Sequence, residues 1–107
     1  MDLVSIIIPY YKKKKYISTT INSAICQSYK NIEIIIVYDD ENYDDLKLLE
    51  EIKKKDERIR IIKNKKKMGA GLSRNIGISS STGNYIAFLD ADDTWEADKL
   101  SLSLIHI

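Results

Sequence analysis

Three carboxylates crowd into four residues at Asp90-Ala91-Asp92-Asp93, directly after the apolar run Tyr85 to Leu89. Carboxylates this close repel one another and raise each other's pKa unless a cation or hydrogen-bond donors compensate. A divalent metal, or exposure at the end of a strand, is the simple compensation. If Asp90 to Asp92 stay extended, their side chains fall on one face about 6.5–7 Å apart. That spacing suits one carboxylate on a metal and the other on a neighbouring polar group of the same ligand. The competing reading is a helix N-cap before Thr94 to Leu100, although a cap needs one acidic residue and not three. A second acidic pair, Asp39-Asp40, closes another apolar run and can equally be a polar turn. Arg74 falls near the start of an expected helix, where the dipole disfavours cations, which points beyond a plain surface charge.

These residues need a frame. Leu3 to Ile8 is a continuous β-branched run stopped by Pro9, the pattern of a parallel strand covered on both faces. Ile17, Ile21, Ala24 and Ile25 follow helical spacing within about Tyr16 to Ser28. Ile32 to Val37 is a second continuous run, and Leu46, Leu49 and Ile52 form one stripe of a second helix ending near Lys55. Ile59 to Ile62 is a short third strand. A third helix is expected from Ala70 to Ser80 with Leu72 and Ile76 inward, followed by a fourth strand, Tyr85 to Leu89. The order β-α-β-α-β-α-β implies an α/β fold: an open, mostly parallel sheet with right-handed crossovers and helices on both faces. Ligands of such sheets bind beyond the carboxyl ends of the strands. Pro9-Tyr10-Tyr11, Asp39-Asp40 and Asp90 to Asp93 all fall there.

Composition narrows the classes. The chain has 107 residues, 44% hydrophobic and 31% charged, which fits one small globular domain and not a disordered segment. A net charge of +1 argues against global attraction to nucleic acid or an anionic membrane. The lone Cys26 permits no internal disulfide, is expected in the core or half-buried, and makes a reducing cytoplasm the simplest setting. No apolar run approaches the roughly 18 residues of a membrane span. The lysine runs Lys12 to Lys15 and Lys65 to Lys67 could meet phosphate but read most simply as solvated faces. Gly69-Ala70-Gly71 is too short for a dinucleotide fingerprint. His106 has no partner cluster, and Trp95 packs beside the acidic cluster or over it.

The ordered set of motifs resembles the family 2 glycosyltransferases, which have the GT-A fold. The resemblance runs through Val4-Ser5-Ile6-Ile7-Ile8-Pro9-Tyr10-Tyr11, Gln27-Ser28-Tyr29 and Asn31 to Val37, and continues in Ser73-Arg74-Asn75-Ile76-Gly77, Gly83-Asn84-Tyr85-Ile86 and Phe88 to Trp95. It implies a GT-A, Rossmann-like nucleotide-binding half over residues 1–100. It also implies a nucleotide-sugar donor, usually a UDP-sugar, a saccharide or lipid-linked acceptor, and Mg²⁺ or Mn²⁺. Carried over by position, Pro9 and Tyr11 line the nucleotide pocket and Asp39 or Asp40 meets the uracil, with Asp39 favoured. Arg74 orders the nucleotide side, Asp90 faces the ribose and Asp92 binds the metal. No nucleic acid is implied. A cytoplasmic location is expected, with peripheral association of the full-length protein at the inner face of the membrane.

Three departures stand out. Lys12 replaces the family's usual Asn, and Tyr38-Asp39-Asp40-Glu41-Asn42 replaces the usual Asp-Asp-Gly-Ser-Thr. After Leu100 the family continues through a helix to the acceptor half, which carries the catalytic carboxylate. Here Ser101 to Ile107 alternate at period two. The expectation is a donor-binding fragment, inactive alone, with residues 101–107 a truncated or non-native tail. The alternatives are a catalytically incomplete nucleotide-binding module and a nucleotidyltransferase. The latter's glycine-rich phosphate loop is missing after the first strand.

Overall fold

The computed structural model describes residues 2–105; His106 and the end of the tail lie outside the described residues. Two strands form the centre of the sheet, β1 (Val4–Tyr10) and β2 (Ile32–Tyr38). They pair in parallel from Val4 opposite Ile32 to Tyr10 opposite Tyr38. Outside them lie β3 (Ile59–Lys63) and β4 (Tyr85–Phe88), also parallel, in the order β3-β2-β1-β4. The order follows from the sequence. The two uninterrupted apolar runs take the centre, where both faces are covered.

On one face, Ile6, Ile8, Ile34 and Ile36 pack against Ile17, Ile21 and Ala24 of α1 (Ile17–Ile25), Leu49 of α2 (Leu46–Lys53) and Leu100 of α4 (Lys99–Ile105). On the other, Ile7, Ile35 and Val37 meet Ile76 of α3 (Ala70–Ser80). Each fully buried isoleucine contributes about 1.5–3 kcal/mol relative to exposure, so these two layers outweigh any surface ion pair. The expected α/β sheet with helices on both faces is present, and all four strands are parallel.

Several local expectations change. Burial on both faces holds for β1 and β2 but not for β4, an edge strand with Ile86 and Phe88 exposed. Leu72 points to solvent, not inward. The buried residues of α3 are Ser73 and Gly77, because small side chains let the helix lie close on β1. A Cβ on Gly77 would stand 2.5 Å from Ile7 Cγ2. Cys26 is exposed just beyond α1. The alternating segment after Leu100 is helical as far as Ile105.

The acidic cluster is a turn and not an extended segment: β4 ends at Phe88, and the Asp93 N–H donates to the Asp90 carbonyl at 3.0 Å. The turn is anchored at its middle, where Ala91 is buried and its carbonyl accepts from Thr20 Oγ1 at 2.9 Å. It does not cap a helix at Thr94, since α4 begins only at Lys99. Residues 94–101 are instead stapled to α1 and to the residues just beyond its end. The buried Gln27 amide donates to the Glu96 carbonyl at 2.6 Å and accepts from the Leu100 N–H at 3.0 Å. Trp95 packs against the core, and its N–H donates to Ser23 Oγ at 3.2 Å.

Candidate nucleotide and metal site

The carboxyl ends of β1, β2 and β4 open on one cleft of about 240 Å³. Six of the sequence-predicted residues line it: Pro9, Tyr11, Asp39, Arg74, Asp90 and Asp92. The strands run parallel, so all three chain reversals face the same way and the polar clusters at their ends meet. Asp40 is not a lining residue. It is buried, and its Oδ1 accepts the Asn42 N–H at 3.1 Å, the geometry of an Asx turn.

Asp39 is the most constrained acid. Oδ1 accepts from Asn64 Nδ2 at 3.0 Å and the Met68 N–H at 2.6 Å; Oδ2 accepts the Gly69 N–H at 2.8 Å and faces Lys67 Nζ at 3.8 Å. Burial pushes its pKa up, but the Met68 N–H, Asn64, the Gly69 N–H and Lys67 together hold it below the ordinary 3.8. The carboxylate sits at the N-terminal end of α3, where negative charge is favoured. Gly69 there adopts φ 88° and ψ 161°, an extended positive-φ conformation that is essentially confined to glycine and costs an L side chain about 1–3 kcal/mol. Asp39 therefore fixes the β3–α3 loop as one wall of the cleft.

Five further residues line the cleft, Tyr10, Lys13, Lys67, Ala70 and Ala91, and the two that carry charge are Lys13 and Lys67. Each belongs to a lysine run, and a run gives no signal as to which member turns inward. The signal lies in the fold. Lys12 has φ 50°, a left-handed turn that Asn tolerates better than Lys. Lys67 Nζ lies 4.0 Å from the centre of the Tyr11 ring and Lys12 Nζ 5.3 Å, so Tyr11 is flanked by cations.

The cleft thus matches three acids with three cations drawn from different segments. Lys13 faces Asp92 at 3.6 Å, Lys67 faces Asp39 at 3.8 Å and Arg74 faces Asp90 at 3.3 Å. Tight charge-assisted pairs lie at about 2.7–2.9 Å, so these three are loose contacts that a ligand can replace. Arg74 is the fifth residue of α3, just past the first turn.

Tyr10, at the cleft wall, stacks on Tyr38 behind it with ring centres 5.3 Å apart. The Tyr10 hydroxyl donates to Asp45 at 2.6 Å, and the Tyr38 hydroxyl to the Asn42 carbonyl at 2.7 Å. Burial and the neighbouring Asp45 push the Tyr10 pKa well up, so its hydroxyl stays protonated. The departure at Tyr38 is absorbed as a structural prop for the Asp39 turn.

The donor set suits a hard cation that shares its ligands. Among the described residues no group of three His, Cys, Asp or Glu side chains could hold a metal unaided. Asp92 offers a half-exposed carboxylate in the cleft with Asp90 beside it. Mg²⁺ and Mn²⁺ accept one or two carboxylates completed by phosphate oxygens and water, and the site fits on those terms.

The family model for glycosyl transferase family 2 matches residues 5–104. An Escherichia coli relative, UDP-Glc:alpha-D-GlcNAc-diphosphoundecaprenol beta-1,3-glucosyltransferase WfaP, is 48% identical over 101 residues, which cover 94% of this chain and 39% of that protein. The crystal structure of S. aureus TarS 1-349 in complex with UDP superposes with a TM-score of 0.84 at 25% identity, over 98% of this chain and 31% of that one. The mannosyltransferase PcManGT from Pyrobaculum calidifontis, in complex with GDP-Man and Mn²⁺, shares the fold, with a TM-score of 0.85 at 19% identity, over 94% of this chain and 31% of that one. The chain spans 14 to 42% of the length of the curated relatives it matches.

Proposed function

The chain belongs to glycosyl transferase family 2, and from that premise we propose that its cleft binds the nucleotide diphosphate of a UDP-sugar. The whole protein then transfers the sugar to an acceptor hydroxyl with inversion. The observation that carries this reading is the convergence of Pro9, Tyr11, Asp39, Arg74, Asp90 and Asp92 on one cleft at the strand ends. The likeness to a UDP-Glc-dependent relative and to a UDP-bound structure supports uridine as the base. WfaP's name also supports a lipid-linked diphosphate acceptor. Among the described residues no helix is long and apolar enough to cross a membrane.

The base lies against Tyr11 beside Asp39, the ribose reaches Asp90, and Arg74 steadies the nucleotide side. Asp92 would hold Mg²⁺ or Mn²⁺. When bound, the cation neutralises charge that develops on the diphosphate leaving group. In this reading each cleft carboxylate that faces Lys13, Lys67 or Arg74 has a role on the donor. The base that deprotonates the acceptor is therefore assigned to another part of the whole protein, and the 107-residue chain alone should bind donor without transferring sugar.

UDP titration with and without Mn²⁺, in the chain and in Asp92→Ala, tests the assignment. Binding should require Mn²⁺ and weaken at least tenfold in the variant. Metal-independent binding untouched by the substitution would remove Asp92 from the metal role.

A further inference from the structure

We propose that Lys13 is the resident counter-ion of Asp92, displaced when a divalent cation arrives and then turned onto the donor's diphosphate. Metal loading and nucleotide binding would thus be coupled through one side chain. This rests on the donor-site reading above.

Lys13 Nζ stands 3.6 Å from Asp92 Oδ2, and the two side chains are 42% and 44% exposed. A pair this loose and this wet changes an equilibrium by no more than about fivefold, so it can be broken. The root of the lysine cannot leave. Its carbonyl accepts the N–H groups of Tyr16 and Ile17, each at 3.0 Å, at the entrance to α1, and the left-handed Lys12 fixes the turn before it. Only the flexible stem and its ammonium can swing. A dication on Asp92 repels an ammonium held against the same carboxylate, so Lys13 must give way.

The cleft leaves the freed ammonium few destinations. Asp90 is engaged by Arg74 at 3.3 Å, and Asp39 is saturated by Asn64, two backbone N–H groups and Lys67. Asp93 is exposed and does not line the cleft, so the anion left for the ammonium inside it is the ligand's diphosphate. Lys14 and Lys15, the next residues of the same run, are exposed and do not line the cleft.

The experiment separates the two halves of the proposal. Mn²⁺ is titrated into the 107-residue chain without nucleotide, following the electron paramagnetic resonance signal of free Mn²⁺. UDP is then titrated calorimetrically at saturating Mn²⁺. The variants are Lys13→Ala, the length-preserving Lys13→Gln, and Lys14→Ala as a control. Mn²⁺ should bind about two- to fivefold more tightly in both Lys13 variants, by loss of the competing charge. UDP should bind about tenfold more weakly, by loss of a charged hydrogen bond to phosphate, and Lys14→Ala should move neither. A parent chain that binds no Mn²⁺, or Mn²⁺ affinity that is unchanged or lower in both Lys13 variants, overturns the displacement, and unchanged UDP affinity overturns the transfer to diphosphate. Should the parent chain bind Mn²⁺ but no UDP, the donor-site reading falls and takes the second half with it. The first half stands or falls on Mn²⁺ alone.

Discussion

Asp39 draws its side-chain and backbone donors from Asn64, Met68 and Gly69, the nearest of them 25 residues away in sequence. An acid at the end of a buried strand is legible in the sequence; the groups that satisfy it are not, because the β3–α3 loop returns to it only through the fold. Both Asp39 and Asp40 end the β2 run, so the sequence favours Asp39 only weakly, and the fold brings Asp39 alone to the cleft. Their surroundings predict different consequences. In Asp39→Asn an amide N–H₂ must face the Met68 or Gly69 N–H, donor against donor, at a cost of about 2–3 kcal/mol. Asp40→Asn keeps the oxygen that accepts the Asn42 N–H and should cost under about 1 kcal/mol. Urea unfolding measures the costs, and UDP titration should show binding lost only in Asp39→Asn. Equal effects of the two substitutions would refute the separate roles.

Elements were legible where one local signal decided them. The β-branched runs marked β1 and β2, and turn residues bounded α3 at Ala70 and Ser80. The inward face of α3 was not legible, because Gly77 against Ile7 sets it and a period drawn through Leu72 does not register small residues. Glu33 is the other element-scale surprise, an acid within the β2 core run. Its carboxylate accepts from Ser5 Oγ at 2.5 Å, the Thr82 N–H at 2.7 Å, Thr82 Oγ1 at 3.0 Å and Arg60 at 2.9 Å. It thereby ties the turn before β4 to β1 and β2, and so places the strand that ends in Asp90. Burial pushes its pKa up, yet the Ser5, Thr82 and Arg60 donors outweigh that and hold it below the ordinary 4.5. Asp39 is likewise depressed below 3.8. With depressed folded pKa values, unfolding takes up protons. Their stabilisation is complete above those ordinary values and drains away as pH falls through them toward the folded ones. The melting temperature should therefore drop steeply below about pH 4.5. Glu33→Gln should lose about 1–3 kcal/mol at pH 6 and show a shallower acid limb, since Gln does not titrate. Thermal melts from pH 6 to pH 3 read both effects; parallel acid limbs in parent and variant would exclude Glu33 as a source of the slope.

Across the whole molecule, coverage of the sheet is uneven. Ile86 aligns with Ser5 and Phe88 with Ile7, so both point to the face that carries α3. That helix lies over β1 and β2, leaving Ile86 39% and Phe88 46% exposed, with Leu72 and Ile78 of α3 exposed as well. Among the described residues the outer edge of β4 pairs with no strand. An unpaired edge beside an apolar face is a template for another chain. The sequence carries the apolar run of β4 but no sign that one of its faces stays bare, because the cover depends on where α3 comes to rest. The 107-residue chain should therefore self-associate in solution. Ile86→Lys with Phe88→Lys should reduce association, because lysine on an edge strand opposes pairing and removes apolar area. The double variant should keep its melting temperature within a few degrees, since neither side chain is buried. Sedimentation velocity at micromolar to millimolar chain concentrations distinguishes the outcomes. A parent chain that stays monomeric throughout, or a variant that associates equally, would show that β4 is not the contact.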